Sequence, residues 1–129
     1  MIADETPPVS PRPSPRQTLP KRARICTRRD FDRVFREKNR ASDGLLTVYL
    51  GRNEVGMARL GIAAGRALGK AVTRNRIKRL VREAFRRYRT DLPPGTDWIV
   101  VPRQAGASLR EIDASLRRLT ERLLRRTEG

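Results

Sequence analysis

The chain has 129 residues, 37% of them hydrophobic, which suits one small domain with a modest core. Thirty lysines and arginines against fourteen aspartates and glutamates give a net charge of +16, which predicts a nucleic acid as the partner. Because there is no histidine and Cys26 is the single cysteine, the sequence excludes a zinc site and an internal disulfide.

The first twenty residues contain six of the nine prolines and few apolar residues, a composition typical of a disordered tail. We therefore divide the chain into a proline-rich basic tail at 1–24, a folded domain at 25–126 and a short C-terminal end at 127–129. The sequence has neither an apolar run long enough to span a bilayer nor the core of a signal peptide. We expect a cytoplasmic protein that does not bind membranes.

The first predicted helix begins at a capping box, in which the Thr27 hydroxyl caps the helix and the Asp30 carboxylate reaches back. It should run to about residue 38. Phe31, Val34 and Phe35 have the spacing that places all three on one face of this helix. On the residues alone, core packing is the favoured interpretation of this face.

The alternating and β-branched segments of the chain predict three strands. Residues 41–44 have the composition of a turn, 45–50 and 58–64 form a predicted hairpin, and 98–101 form a third strand that ends at a proline. The last helix should open with a second capping box, from Ser108 to Glu111. The predicted order is helix, strand, strand, helix, strand, helix, which is an α+β fold.

The segment 69–89 should form a basic amphipathic helix. One side of this helix is apolar: Ile77, Leu80, Val81, Ala84, Phe85 and Tyr88. The opposite side is almost entirely cationic: Asn75, Arg76, Lys78, Arg79, Arg82, Arg86 and Arg87, with Glu83. Thr73 is the predicted N-cap, which would place residues 74–76 beside free backbone amides that favour phosphate.

Protein-only nucleases need converging carboxylates that hold a metal ion, or a histidine acid and base. This chain has no histidine, and its carboxylates occur at helix starts and turns where capping explains them. We therefore predict binding of nucleic acid without catalytic residues or metal ligands in this chain.

Two motifs make the chain similar to a known family. Residues 59–62 read Arg-Leu-Gly-Ile, and residues 69–72 read Gly-Lys-Ala-Val before Arg-Asn-Arg-Ile-Lys-Arg at 74–79. With Leu-Val-Arg-Glu-Ala-Phe-Arg at 80–86, this pattern resembles the signature of the bacterial ribonuclease P protein subunit. The resemblance covers residues 25–126 and implies a central mixed sheet with a left-handed βαβ crossover.

The resemblance also implies roles for individual residues. In the family, the RNA subunit cleaves the 5′ leader from precursor tRNA, and the protein subunit binds both RNAs. Phe31, Phe35 and Arg66 would bind the leader, and for the two phenylalanines this replaces the core-only role favoured above. The residues that would contact the catalytic RNA lie in and before the basic helix: Lys70, Arg74, Asn75, Arg76, Lys78, Arg79, Arg82 and Arg86.

The implied cofactor is Mg²⁺ held mainly by the RNA subunit, and the implied assembly has one protein per RNA. This chain has Gly65-Arg66-Ala67 where the family commonly has Ser-Lys-Lys, so one of the two cations of that loop is lost. A basic ribosomal or nucleoid protein, which would use the same cationic face on another nucleic acid, is the alternative function.

Overall fold

The computed structural model describes residues 19, 21–25 and 27–128. Cys26 and most of the predicted tail lie outside the described residues. Leu19 is buried and Lys21–Ala23 forms a short 3-10 helix with Ala23 in the core, so the described fold begins before the predicted boundary at residue 25.

Among the described residues, three α-helices and a four-stranded sheet confirm the predicted α+β class. The helices are α1 (Arg28–Glu37), α2 (Ala71–Tyr88) and α3 (Leu109–Glu128). The strands are β1 (Arg40–Ser42), β2 (Leu46–Arg52), β3 (Arg59–Ile62) and β4 (Thr96–Pro102).

The sheet has the strand order β1-β2-β4-β3. The predicted hairpin of 45–50 with 58–64 is therefore wrong, because β4 lies between β2 and β3 and pairs with both. β3 and β4 are parallel, whereas β1 with β2 and β2 with β4 are antiparallel, so the sheet is mixed as the resemblance implied. The β3–α2–β4 segment is therefore the crossover between two parallel neighbours. Its left-handedness stays a prediction.

The two faces of the sheet pack against different helices. On β4, Trp98 and Val100 belong to the main core with residues of α2 and α3, whereas Ile99 packs with Val34 of α1. Successive side chains of a strand point to opposite faces. Thus α1 lies alone on one face, and α2 and α3 share the other.

The predicted turn at 41–44 is partly wrong, because β1 extends through Ser42. Its three residues pair with β2, and the Asp43 carboxylate then caps the hairpin by accepting from the amides of Leu45 and Leu46, both at 3.0 Å. Ala41 is the one apolar residue in β1. So short a strand has no alternating pattern that the sequence could reveal.

The helix starts agree with the sequence at two of three positions. The Thr27 hydroxyl accepts from the Asp30 amide at 3.2 Å, and the Ser108 hydroxyl accepts from the Glu111 amide at 3.2 Å, which confirms both N-caps. Glu111 completes its capping box by accepting from the Ser108 amide at 2.9 Å, whereas Asp30 accepts from the Thr27 hydroxyl at 3.0 Å. Thr73 is not a cap, because α2 begins two residues earlier and Lys70 occupies the N-cap position. The Arg74 amide already donates to the Lys70 carbonyl, so residues 74–76 lie beyond the free amides.

Candidate nucleic-acid interface

The apolar stripe of α2 faces the core as predicted. Ile77, Val81, Ala84, Phe85 and Tyr88 are buried, and the partly buried Leu80 packs against them. The remaining side of the helix is half-buried or exposed and consists mainly of cations. The helix therefore presents a fixed basic surface, because its apolar side is held by the sheet and by α3.

Several cations of α2 have no acidic partner. Among the described residues, Arg74, Lys78, Arg79 and Arg82 form no ion pair. Burial lowers the pKa of Arg82 below its ordinary value, and repulsion from Arg24 and Arg79 lowers it further. An anion bound between these guanidinium groups would relieve that repulsion.

Three other arginines of this surface are already engaged. Arg86 Nη2 lies 2.8 Å from Glu83 Oε2, and Arg87 Nε lies 3.0 Å from the same oxygen. The hydrogen bond from Arg86 lowers the pKa of Glu83 and raises that of Arg86. Arg76 donates to the carbonyls of Ala105 and Ala107 at 3.2 and 3.4 Å. The N–H donors of these three arginines are therefore less available to a ligand than those of Arg79.

The remaining predicted RNA-contacting residues lie at the exposed start of α2. Lys70 and Asn75 are exposed, and the Arg74 Nε is buried without a hydrogen-bond partner among the described residues. Arg66 is exposed in the 3-10 helix Arg66–Leu68, between β3 and α2. No direct contact joins Arg66 to the phenylalanines of α1 among the interactions observed in the described chain.

The second surface is aromatic and lies where α1 meets the sheet. Val34 is fully buried, whereas Phe31 and Phe35 are only partly buried beside it. Their ring centroids are 6.3 Å apart, and the Phe35 ring meets the Tyr49 ring edge-on at 4.7 Å. Each phenylalanine thus packs on the sheet with part of its ring and leaves the rest accessible.

Two glycines let α1 approach the sheet closely. A Cβ atom at Gly51 would lie 2.9 Å from Val34 Cγ2, and one at Gly61 would lie 2.8 Å from Phe31 Cζ. Real Cβ atoms do not tolerate such distances. Gly61 therefore fixes the depth at which Phe31 sits, which gives a physical reason for this glycine in the Arg-Leu-Gly-Ile motif.

A buried carboxylate ties α1 to the sheet. Asp97 of β4 is 0% exposed and accepts from Arg59 Nε at 2.8 Å and from Arg33 Nη2 of α1 at 2.5 Å. Asn53 Nδ2 donates to the same group at 2.6 Å. Burial alone would raise the pKa of Asp97, but these hydrogen bonds outweigh it and hold the pKa below its ordinary value.

The basic and aromatic surfaces meet at the β3 edge of the sheet. The backbone at Arg24 pairs with Leu60, and the Ile25 amide donates to the Leu60 carbonyl at 2.7 Å, so this segment covers the edge. A cleft of about 260 Å³ opens there. Its lining combines cations with apolar side chains: Arg24, Ile25, Phe31, Ile62, Lys78 and Arg82.

The described residues contain neither a cluster of metal ligands nor a membrane-spanning helix. Across the described residues, no three histidine, cysteine, aspartate or glutamate side chains come together as potential metal ligands. Over the same part of the chain, none of the helices is both long and apolar enough to cross a bilayer.

Comparison with known proteins identifies the family. A family model for ribonuclease P matches residues 19–126. The ribonuclease P protein component of Thermotoga sp. (strain RQ2) is 36% identical over 115 residues, 88% of this chain and 98% of the relative. The one from Geobacillus kaustophilus (strain HTA426) is 35% identical over 101 residues, 76% of this chain and 84% of the relative.

The chain belongs to the ribonuclease P protein family. Solved structures of the family agree with the fold. The Staphylococcus aureus RNase P protein matches with a TM-score of 0.70 at 32% identity, covering 77% of this chain and 93% of that one. The Thermotoga maritima RNase P protein matches with a TM-score of 0.67 at 34% identity, covering 74% and 92%.

Membership in the ribonuclease P protein family confirms the predicted general function. The chain is a protein component of a tRNA-processing ribonucleoprotein and works with the ribonuclease P RNA. A catalytic centre in that RNA is consistent with a protein that has no histidine.

Sequence reasoning missed two contributors to the surfaces of this ribonuclease P protein. Tyr49 lies in the predicted strand at 45–50, and its position between Val48 and Leu50 places it on the opposite face from those core residues. Arg24 falls in the predicted tail at 1–24, and nothing in its local sequence indicates that it pairs with β3 and approaches Arg82.

Proposed function

We propose that the basic side of α2 binds the catalytic RNA and that the aromatic surface of α1 binds the 5′ leader of precursor tRNA. The RNA-binding set is the one that the motif implied: Lys70, Arg74, Asn75, Arg76, Lys78, Arg79, Arg82 and Arg86. The leader-binding set is Phe31, Phe35 and Arg66, to which the geometry adds Tyr49. The observation that carries this proposal is the separation of unpaired cations and accessible aromatic rings onto two adjoining surfaces.

The unpaired cations suit a folded RNA. Phosphate oxygens accept strong hydrogen bonds from guanidinium groups, and each contact releases condensed counterions from the RNA. Lys78, Arg79 and Arg82 bind most strongly in this proposal, because no acid among the described residues competes for them. Arg86 and Arg76 contribute less, since Glu83 and two backbone carbonyls already hold them.

The aromatic surface suits a single strand. Unpaired bases stack on accessible rings, and each stacked base contributes about 1 to 3 kcal/mol with little dependence on sequence. Phe31, Phe35 and Tyr49 provide three such rings on one face of the sheet. This tolerance is what a protein needs in order to process precursors whose leaders differ.

The cleft at the β3 edge gives the two RNAs a common boundary. Phe31 belongs to the proposed leader surface, and Lys78 and Arg82 belong to the proposed RNA surface, yet all three line this cleft. A leader strand stacked on Phe31 would therefore have its phosphates next to the cations that hold the catalytic RNA. In this arrangement the protein orients the leader relative to the RNA that cleaves it.

We infer that the protein itself performs no bond cleavage. Mg²⁺ is assigned to the RNA subunit, because the described carboxylates do not gather into a ligand set and Asp97 is surrounded by cations. We also propose one protein per RNA and a cytoplasmic location, which is where bacteria make both RNAs.

Phe35 provides the sharpest test of the leader surface. Phe35→Leu keeps an apolar side chain over the sheet but removes the ring, and Phe35→Tyr keeps the ring. With the catalytic RNA present, we expect Phe35→Leu to weaken binding of leader-bearing precursor by about 1 to 3 kcal/mol, roughly 5- to 150-fold. Binding of mature tRNA should not change, and Phe35→Tyr should behave like the parent protein.

Two outcomes would contradict the proposal. Equal losses for precursor and mature tRNA in a folded Phe35→Leu protein would show that the ring does not act on the leader. Cleavage of precursor tRNA by the protein without any RNA subunit would show that the assignment of catalysis is wrong. Circular dichroism of each variant checks folding first, because Phe35 also packs against the sheet.

A further inference from the structure

We propose that the arginines near the end of α3, beside the edge strand β1, bind the phosphates of the leader farther from the cleavage site. This inference rests on the proposed function and extends the leader's path beyond the aromatic surface. The ligand is the backbone of single-stranded RNA, and the residues that would carry it are Arg122 and Arg125, beside Arg118 and Arg126.

The aromatic surface leads directly to the β1 edge. Tyr49 is the β2 partner of Arg40 on β1, and the Arg40 Nη1 lies 3.4 Å from the Tyr49 hydroxyl. β1 is the terminal strand of the sheet on this side. A strand of RNA that stacks on Phe35 and Tyr49 therefore reaches a cation at the edge of the sheet.

Helix α3 is fixed along this same edge. Arg126 Nη1 donates to the Arg40 carbonyl at 2.6 Å, at the start of β1. Arg118 Nη2 donates to Asp43 Oδ2 at 2.6 Å, just after β1. Because the two contacts lie eight residues apart on the helix and at opposite ends of β1, the outer side of α3 runs alongside the strand.

Arg122 and Arg125 lie between these two anchors. Arg122 is one helical turn from both Arg118 and Arg126, so these three side chains share a stripe. Arg122 and Arg125 are exposed and form no ion pair within the described part of the chain. Residues 117–126 contain five arginines and one acid, Glu121, so the stripe is strongly cationic.

The alternative is a purely structural role, because an arginine near the C-terminal end of a helix interacts favourably with the negative end of the helix dipole. That role requires no ligand and predicts no effect on RNA binding. The continuous contacts from Tyr49 through Arg40 to Arg126 favour RNA instead, because they connect this stripe to the leader surface.

The length of the leader distinguishes RNA binding by this stripe from a purely structural role. Precursor tRNAs with leaders of about 4 and about 16 nucleotides span the site sizes of single-stranded nucleic-acid-binding domains. In complex with the catalytic RNA, the doubly substituted protein Arg122→Gln/Arg125→Gln should bind the long-leader substrate about tenfold more weakly than the parent protein does. Its log–log salt slope for that substrate should become shallower by about 1.4, the value for two contacts with a single strand.

The short-leader substrate should bind the double variant like the parent protein. Arg110→Gln is the matched control, because Arg110 is an exposed arginine at the other end of the same helix. It should leave both substrates unaffected.

Three results would overturn this inference. Unchanged binding of the long leader would show that the stripe is only a solvated surface. Equal losses for both leaders, or weaker assembly with the catalytic RNA in the absence of substrate, would assign the stripe to the RNA subunit. Binding of the short-leader substrate by Phe35→Leu tests the proposed function separately. Failure of the α3 inference can therefore be distinguished from failure of the proposed function.

Discussion

Arginines on the two sides of the sheet differ in what surrounds them. Beneath α1, Arg33 and Arg59 converge on Asp97, a fully buried carboxylate. On α2, Arg79 and Arg82 have no acidic partner among the described residues, and repulsion contributes to the lowered pKa of Arg82. The same residue type is therefore neutralised in one region and left unneutralised in the other.

This difference separates structural arginines from ligand-binding ones. A buried carboxylate that joins two elements makes an arginine part of the fold, and losing either partner leaves an uncompensated charge. A cation held on a rigid helix without an acid contributes little to stability and remains available to a phosphate. Substitutions in the two regions should therefore affect different measurements.

Asp97→Ala should have the largest effect on stability. It removes the shared acceptor and leaves Arg33 and Arg59 without it, so we expect a loss of about 3 to 5 kcal/mol in the free energy of unfolding. Urea denaturation measures this change. Asp113→Ala is the control, because its pair with Arg117 at 3.2 Å is partly exposed and should contribute less than about 1 kcal/mol. Similar losses for the two variants would refute the structural role of Asp97.

Acid should weaken the ion pairs formed by Asp43 and Asp97. Hydrogen bonds from Ser115, Arg118 and two backbone amides overcome the effect of burial and lower the pKa of Asp43 from 3.8 to about 2. The pKa of Asp97 is lowered as well. Since these folded-state values lie below the unfolded ones, the associated stability is present above about pH 4 and is lost as the pH falls.

For Asp43 this loss is about 2 kcal/mol between pH 4 and pH 2. Denaturation curves across this range measure it, and Asp43→Asn should flatten the dependence. A free energy of unfolding that stays constant from pH 4 to pH 2 would contradict the prediction.

Arg82→Gln should have the smallest effect on stability. Removing this half-buried cation relieves its repulsion with Arg24 and Arg79. We therefore expect the free energy of unfolding to change by no more than about 0.5 kcal/mol. Affinity for the catalytic RNA should nevertheless fall. Arg59→Gln is the matched substitution beside Asp97, beneath α1. It should lower the free energy of unfolding, measured by urea denaturation, by about 3 kcal/mol. If both substitutions destabilise the protein equally, the comparison between the two regions is wrong.

Local patterns explain how much of this structure was predictable. The apolar stripe of α2 and the N-caps at Thr27 and Ser108 depend on residues within one or two helical turns, and all three were confirmed. The predicted start of α2 was wrong. The helix begins at Ala71, and its N-cap residue Lys70 has no side-chain oxygen that could mark this start in the sequence. Backbone geometry after Gly69, rather than a capping side chain, sets this boundary.

The remaining features depend on residues that are far apart in the chain. Asp97 is 64 positions from Arg33 and 38 from Arg59, so no local motif reveals their convergence. In the same way, the carbonyls that engage Arg76 follow β4, 29 and 31 residues later. Sequence could identify which residues are charged, but only the fold shows which charges are neutralised.

The salt dependence of binding to the catalytic RNA tests the role of α2 most directly. The doubly substituted protein Arg79→Gln/Arg82→Gln should give a plot of log K against log salt concentration that is shallower by about 1.4 to 1.8 than that of the parent protein. Arg87→Gln, which removes a cation already paired with Glu83, should change this slope much less. Parallel plots for the parent and the double variant would contradict phosphate binding by the unpaired arginines of α2.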